Sequence, residues 1–148
     1  MLHDSNLILQ YAEALAAPNT LWPRDTATLA AALRITANAL VAMEKTVQCV
    51  HERQLRPPEK QHQPWLDRVI AQQLAAFDLI EADVAKTGSG YLVGSVLTQA
   101  DISVTTAWGF TQFTEAGRVP QSRYPAISEF AARLELLPEF VAYPIERE

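Results

Sequence analysis

The sequence has few of the residues that build disulfide-linked, metal-binding or nucleic-acid-binding proteins. Its 148 residues include a single cysteine, Cys49, which excludes a disulfide within the chain and is typical of a reducing compartment. Twelve basic residues stand against 17 acidic ones, giving a net charge of −5, so we expect no nucleic-acid partner. The histidines His3, His51 and His62 are scattered and show no metal-ligand spacing, so we expect no metal site.

Long apolar runs are also missing from the sequence. The first residues, "MLHDSNLILQYAEALA", lack the basic start of a signal peptide and are interrupted by Asp4, Gln10 and Glu13. No uninterrupted apolar run approaches the length of a membrane span. We therefore expect a cytoplasmic protein that does not interact with a membrane.

The sequence is rich in residues that favour helices. Hydrophobic residues make up 49% of the chain and glycine contributes only five residues, while period-two alternation typical of strands is absent. We predict an all-α helical bundle, with a short first helix, a long helix from Asp25 to about Leu55 and another from Pro64 to about Lys86. In the long helix, large apolar residues at three- and four-residue steps predict the face that meets a partner helix: Leu29, Leu33, Leu40, Met43, Val47 and Val50.

The segment "YLVGSVLTQADIS" at 91–103 predicts the start of a core helix. Thr98 suits the N-cap, and Asp101 three residues later can accept the free backbone N–H of the cap. Leu97 and Ile102 flank this capping box where a hydrophobic staple forms. Residues 102–113 carry no charge, which predicts a helix buried on all sides. Thr98 and Asp101 are therefore structural, and loss of either is expected to cost about 1 kcal/mol.

Three segments together resemble the glutathione transferase family. "YLVGSVLTQADIS" resembles the family's capped core helix, and "RYPAISEFAARLELLPEF" at 123–140 resembles the helix that follows. "DSNLILQYAEAL" at 4–15 resembles the last helix of the family's thioredoxin-like half. The resemblance implies the family's C-terminal helical domain, whose buried core helix carries the N-capping box.

The same resemblance implies a division of the chain into three parts. Residues 1–17 correspond to a remnant of the thioredoxin-like domain, 18–24 to a linker and 25–148 to the helical domain. In the family, the thioredoxin-like half supplies the residue that lowers the thiol pKa of glutathione. We therefore expect no catalytic residue in this sequence, little activity of the chain alone, and a truncated form or a separate thioredoxin-like polypeptide.

Asp4 and Ser5 are the candidate substrate-binding residues. In the family, an acidic residue and a serine at this helix start bind the γ-glutamyl part of glutathione, and free N–H groups with the helix dipole favour an anion there. Asp4 would face the ammonium group of the ligand. The alternative is an ordinary helix cap without a ligand, and glutathione binding by this chain is expected to be weak or absent.

The sequence favours structural roles for the other candidate functional residues. Cys49 lies inside the long helix, away from any helix N-terminus, so we interpret it as a passive thiol. Trp108, Phe110 and Phe113 could line an electrophile pocket, but their spacing in an uncharged helix favours the core. In the family the long helix forms a wall of the electrophile site.

Two functions remain open from the sequence. In the first, the chain is the electrophile-binding and dimerisation half of a glutathione S-transferase, which joins glutathione to a small electrophile. In the second, it is a non-catalytic interaction module that uses an uncovered apolar face to bind a partner. We expect a homodimer in either case.

Overall fold

The computed structural model describes residues 3–145, and six α-helices lie within this range. No strand occurs within that range, so the predicted all-α architecture is confirmed. A π-helical turn, His51–Leu55, follows the second helix, and 3₁₀ turns lie at Pro58–Lys60 and Gln121–Arg123. The helices are α1 (Ser5–Ala16), α2 (Thr26–Val50), α3 (Gln63–Val84), α4 (Gln99–Glu115), α5 (Pro125–Leu134) and α6 (Pro138–Val141).

Helix α2 packs against α3 and α4, and only part of the face predicted from its large residues takes part, since Met43 packs against the core. Leu33 is 50% exposed. Apart from Ile35, the buried face is made of small side chains, which lets two helices approach α2 closely, whereas bulky side chains would hold them apart. That face consists of Ala32, Ile35, Thr36, Ala39, Ala42, Thr46 and Cys49.

Three aromatic rings fill the space between α3, α4 and the start of α5. The ring centroids of Phe77 and Trp108 are 5.5 Å apart, and Tyr124 lies 5.6 and 5.9 Å from them. Such tilted and edge-to-face pairs are worth about 0.5–1.5 kcal/mol beyond their buried area. Trp108 is therefore a core residue, as predicted.

The prediction that α4 is buried on all sides is wrong for part of its surface. Phe113 is 46% exposed and Phe110 is half-buried. Thr106 also faces solvent. Because α4 packs on α2 from one side and α5 from another, a strip of its surface has no helix against it.

The start of α4 has the predicted capping box. Asp101 is completely buried, and its carboxylate accepts the Thr98 backbone N–H at 2.8 Å and the Thr98 hydroxyl at 2.6 Å. It also accepts the Leu92 backbone N–H at 2.8 Å, a contact that the sequence pattern does not predict. The carboxylate thus joins the preceding loop to the helix.

A second cap comes from another helix. Glu81 on α3 accepts the backbone N–H groups of Ala126 and Ile127 at 2.8 and 2.9 Å. These groups lie in the first turn of α5 and have no partner within the helix. Glu81 therefore fixes where α5 begins relative to α3.

Helix α1 differs from the others because none of its residues is buried. Its apolar side chains are about half or more exposed. Leu7, Ile8, Tyr11 and Leu15 recur at helical spacing and form one apolar face, which no element within residues 3–145 covers. The exposed side chains are Leu7, Ile8, Leu9, Tyr11 and Leu15.

By length and composition, the helical segment Thr26–Leu55 is apolar enough to cross a membrane. Arg34, Glu44 and Lys45 interrupt this segment, so it is not an uninterrupted apolar run. The same composition occurs in core helices of soluble proteins, and Arg34 in this segment forms an ion pair with Asp83 on α3 at 2.6 Å. The small, weakly polar residues that pack α2 against its neighbours also raise its mean hydropathy.

Candidate functional site

The start of α1 brings Asp4 and Ser5 together at a helix N-terminus. The Asp4 carboxylate accepts the backbone N–H of Asn6 at 2.8 Å and that of Leu7 at 3.3 Å. Asp4 has φ 74° and ψ 122°, a conformation that a residue with a side chain rarely adopts. Backbone strain of this kind is concentrated at ligand-binding and active sites.

The geometry also limits what a ligand could contact there. The Asp4 carboxylate already occupies two N–H groups of the first turn, so an anionic ligand would have to share or displace it. Ser5 is exposed, and its hydroxyl has no hydrogen-bond partner among the described residues. The cap is present in the structure, and the ligand role of Asp4 and Ser5 stays a prediction.

A cavity of about 350 Å³ lies between the end of α1, the linker and the first turn of α2. Leu29 lies on α2, and Trp22 packs against the hydrophobic core from the linker. A volume of this size is at the lower limit for small-molecule sites. The first turn of α2, the long helix that the family resemblance implies as a wall of the electrophile site, thus borders a concave surface. Its lining residues are Glu13, Ala17, Pro18, Asn19, Thr20, Trp22, Pro23, Arg24 and Leu29.

A second cavity of about 350 Å³ lies at the π-helical turn, lined by Glu52, Arg56, His62 and Trp65. Glu52 is only 3% exposed and accepts the His62 backbone N–H at 2.7 Å and the Arg56 side chain at 3.1 Å. The next residue, Arg53, pairs instead with Glu115 on α4 at 3.1 Å. The sequence gives no signal for this cluster, because the wider π-turn determines which neighbour each side chain meets.

Cys49 lies in the interior and does not have the surroundings of a nucleophile. It is fully buried, and burial, followed by the nearby Glu115 charge, raises the pKa of its thiol to about 11. A reactive cysteine needs a lowered pKa and access to solvent. Within residues 3–145, no group of three or more His, Cys, Asp or Glu side chains could hold a metal ion.

Tyr124 does not have the surroundings of a residue that activates a thiol. Burial raises the pKa of the Tyr124 hydroxyl, and its 2.9 Å hydrogen bond to Asp78 raises this pKa further. A raised pKa disfavours the phenolate. Tyr124 is therefore a core residue that donates a hydrogen bond, and it has no role in activating a thiol.

Comparison with known proteins agrees with this architecture. Residues 63–133 match the family described as "Glutathione S-transferase, C-terminal domain". A glutathione transferase family member from Pseudomonas fluorescens Pf-5, crystallised with bound glutathione, is 27% identical, with a TM-score of 0.86 over 99% of this chain and 69% of that chain. Its structure with S-(propanoic acid)-glutathione gives 28% identity and a TM-score of 0.82, over 95% and 70% of the two chains.

A glutathione S-transferase from Methylobacterium radiotolerans JCM 2831, in complex with glutathione sulfonate, is 26% identical. Its TM-score is 0.82, over 99% of this chain and 68% of that one. The comparison with curated protein sequences gives no match. The fold is that of a glutathione transferase helical domain. This family match and this fold confirm the resemblance, seen in the sequence, to the C-terminal helical domain of the glutathione S-transferase family.

Proposed function

We propose that the chain provides the helical half of a glutathione S-transferase. In this reaction the glutathione thiolate attacks an electrophilic carbon, a C–S bond forms, and the electrons of the broken bond leave with the departing group. The helical half binds the electrophile and holds it beside glutathione, which lowers the barrier by positioning. The observation that carries this proposal is the similarity of 95–99% of the chain to transferases crystallised with glutathione or a glutathione derivative.

Two features of the α1 start support glutathione as the ligand. Asp4 has a strained backbone, and its carboxylate lies at the surface where it can meet the α-ammonium group of a γ-glutamyl residue. Ser5 offers an exposed hydroxyl next to the positive end of the helix dipole, which suits the α-carboxylate. The contact area on α1 alone is small, so binding by this chain is expected to be weak.

The division of the chain is part of the proposal. Residues 1–17 act as the last helix of a thioredoxin-like domain, 18–24 as the linker and 25–148 as the helical domain. Lowering the pKa of the glutathione thiol is then the task of a thioredoxin-like half, either a preceding segment or a separate polypeptide. The chain alone should show little transferase activity, and its buried thiol fits a cytoplasmic, reducing location.

The cavity beside Trp22 and Leu29 is the place we assign to the small electrophile. It borders both the linker after α1 and the first turn of α2, so a molecule there would lie between the C-terminal end of α1 and the helical domain, with Asp4 and Ser5 at the opposite end of α1. Its open, partly apolar lining suits an apolar electrophile with few polar groups.

A non-catalytic interaction module is the second candidate, and the exposed face of α1 favours it. Tyr11 is 56% exposed and Leu15 is 70% exposed, and apolar side chains grouped on one surface indicate an interaction site. Large apolar residues are also exposed on α2 and α3, including Leu33, Val41 and Leu79. We propose that, in a homodimer, a second copy of the chain covers these exposed apolar side chains of α1, α2 and α3.

Calorimetric titration with glutathione tests the proposal. The unaltered chain should bind with a millimolar dissociation constant, about −4 kcal/mol, and Ser5→Ala should weaken binding at least about fivefold, because one hydrogen bond to a charged group is lost. Ser95→Ala is the matched control, since Ser95 is exposed and lies in the loop before α4. Absence of binding at 10 mM glutathione, about 10 times the expected constant, together with a stable homodimer by analytical ultracentrifugation, would favour the interaction module.

A further inference from the structure

Helix α1 has little packing to hold it against the rest of the protein. None of its residues is buried, and its apolar side chains face outward. A helix with so few contacts keeps a fixed orientation only if specific polar contacts hold it. One such contact is present at its C-terminal end.

Glu13 makes that contact. Its Oε1 accepts the backbone N–H of Leu21 at 3.0 Å, across eight residues of sequence. Within residues 3–145, this is the hydrogen bond that joins a side chain of α1 to the linker. Glu13 is half-buried, unlike its neighbours on the helix, which indicates that its side chain lies against the linker and not in solvent.

Leu21 continues the connection to the core helix. Its carbonyl accepts the backbone N–H of Gln99, the first residue of α4, at 3.0 Å. Gln99 lies within the capping box, between Thr98 and Asp101, which are both buried. Leu21 in the linker therefore donates its N–H to Glu13 of α1 and, with its carbonyl, accepts the N–H of Gln99 at the start of the core helix.

We infer that Glu13 is a positioning residue that sets the orientation of α1, and with it Asp4 and Ser5, relative to the helical domain. The inference deepens the proposed function, because transferase chemistry requires glutathione on α1 and an electrophile beside α2 to meet in one geometry. A displacement of about 1 Å can cost a reaction about a hundredfold. Glu13 also lines the cavity assigned to the electrophile, so its positioning role is tested by the orientation of α1 and not by transferase activity.

Distance measurement between two spin labels tests this orientation directly. Labels placed by Gln10→Cys on α1 and Gln72→Cys on α3 occupy exposed positions, while the native Cys49 is fully buried and should remain unlabelled. The distance distribution is recorded for the otherwise unaltered chain, Glu13→Ala, Glu13→Gln and the matched exposed control Glu129→Ala. Glutathione titration of the same four proteins supplies the second measurement.

The expected result is a single narrow distance maximum that is lost in Glu13→Ala and restored in Glu13→Gln, whose side-chain oxygen still accepts the Leu21 N–H. Glu129→Ala should keep the narrow maximum, and the unfolding midpoint of the bundle should be the same in all four proteins. Glutathione affinity should also stay equal, because the proposed ligand contacts lie at the other end of α1.

A narrow and unshifted maximum in Glu13→Ala would overturn the inference, as would a distribution that is already broad with Glu13 present. The two proposals fail separately. If no variant binds glutathione, the proposed function fails, but the distance distributions still decide whether Glu13 orients α1.

Discussion

The Asp101 carboxylate offers the sharpest test of how the core helix is held. It is completely buried and accepts three hydrogen bonds, from the Leu92 N–H, the Thr98 N–H and the Thr98 hydroxyl. A lost cap alone costs about 1 kcal/mol. Each hydrogen bond to a charged group is worth about 1.5–3 kcal/mol, and buried donors left unpaired add to the cost. Because these contributions overlap, Asp101→Ala should lose about 3–5 kcal/mol.

Urea denaturation followed by circular dichroism measures this loss, and thermal unfolding should show a midpoint lower by roughly 10 °C in a chain of this size. Asp101→Asn keeps the shape but presents an amide NH₂ to groups that are themselves donors, so it should lose most of the same energy. Asp67→Ala is the control, since Asp67 is exposed and should change stability by less than about 0.5 kcal/mol. A loss below about 1 kcal/mol in Asp101→Ala would refute the reasoning.

Three further predictions concern other parts of the fold. Glu81→Ala removes the acceptor for two N–H groups at the start of α5 and should cost about 1–2 kcal/mol in urea denaturation; an unchanged midpoint would contradict this capping role. The hydrogen bond from Arg34 lowers the pKa of the Asp83 carboxyl below its ordinary value of 3.8. The ion pair therefore stabilises the folded chain fully above pH 3.8, and this stabilisation is lost as the pH falls through the lowered pKa of Asp83. Since Arg34 is half exposed, the ion pair contributes about 0.5 kcal/mol to stability. Asp83→Asn should remove this contribution from the acid dependence of stability, and an unchanged acid-unfolding profile would contradict it. Burial raises the pKa of the Cys49 thiol to about 11, so a thiol reagent at pH 8 should react only after denaturation, and rapid stoichiometric reaction of the native chain would show that the site is open.

The sequence predicts the helices well because their signals are local. Asp25 before α2 and Thr98 with Asp101 before α4 are side chains that satisfy N–H groups a few residues away. Such interactions need no knowledge of the tertiary structure. The buried face of α3 is also marked in the sequence, since Leu66, Phe77 and Ile80 stand at helical spacing and are buried.

Contacts between distant segments could not be predicted in this way. The predicted buried face of α2 is only partly right, because the two neighbouring helices pack mainly against its small residues, whereas residue size in the sequence favours the large ones. The Glu13–Leu21 contact, the Glu81 cap on α5 and the third bond of Asp101 each join positions 8 to 46 residues apart. No periodic pattern encodes such pairs, because they depend on how the helices finally pack.

The candidate site could likewise be predicted only in part from the sequence. The start of α1 is evident from Asp4 and Ser5, but the strained backbone of Asp4 and its occupation of two N–H groups are visible only in the structure. The exposed side of α1 is likewise a tertiary property. A hydrophobic face in a sequence predicts that something covers it, but not that the covering element lies within residues 3–145.

Backbone amide NMR of the chain during titration with glutathione measures the central claim most directly. If the start of α1 binds the γ-glutamyl part of glutathione, the amide signals of Ser5, Asn6 and Leu7 should shift with increasing ligand, and Ser5→Ala should reduce these shifts. Signals of residues at the π-helical turn should stay in place and serve as the internal reference. Shifts confined to other helices, or none at α1 at 10 mM glutathione, about tenfold above a millimolar constant, would contradict the account.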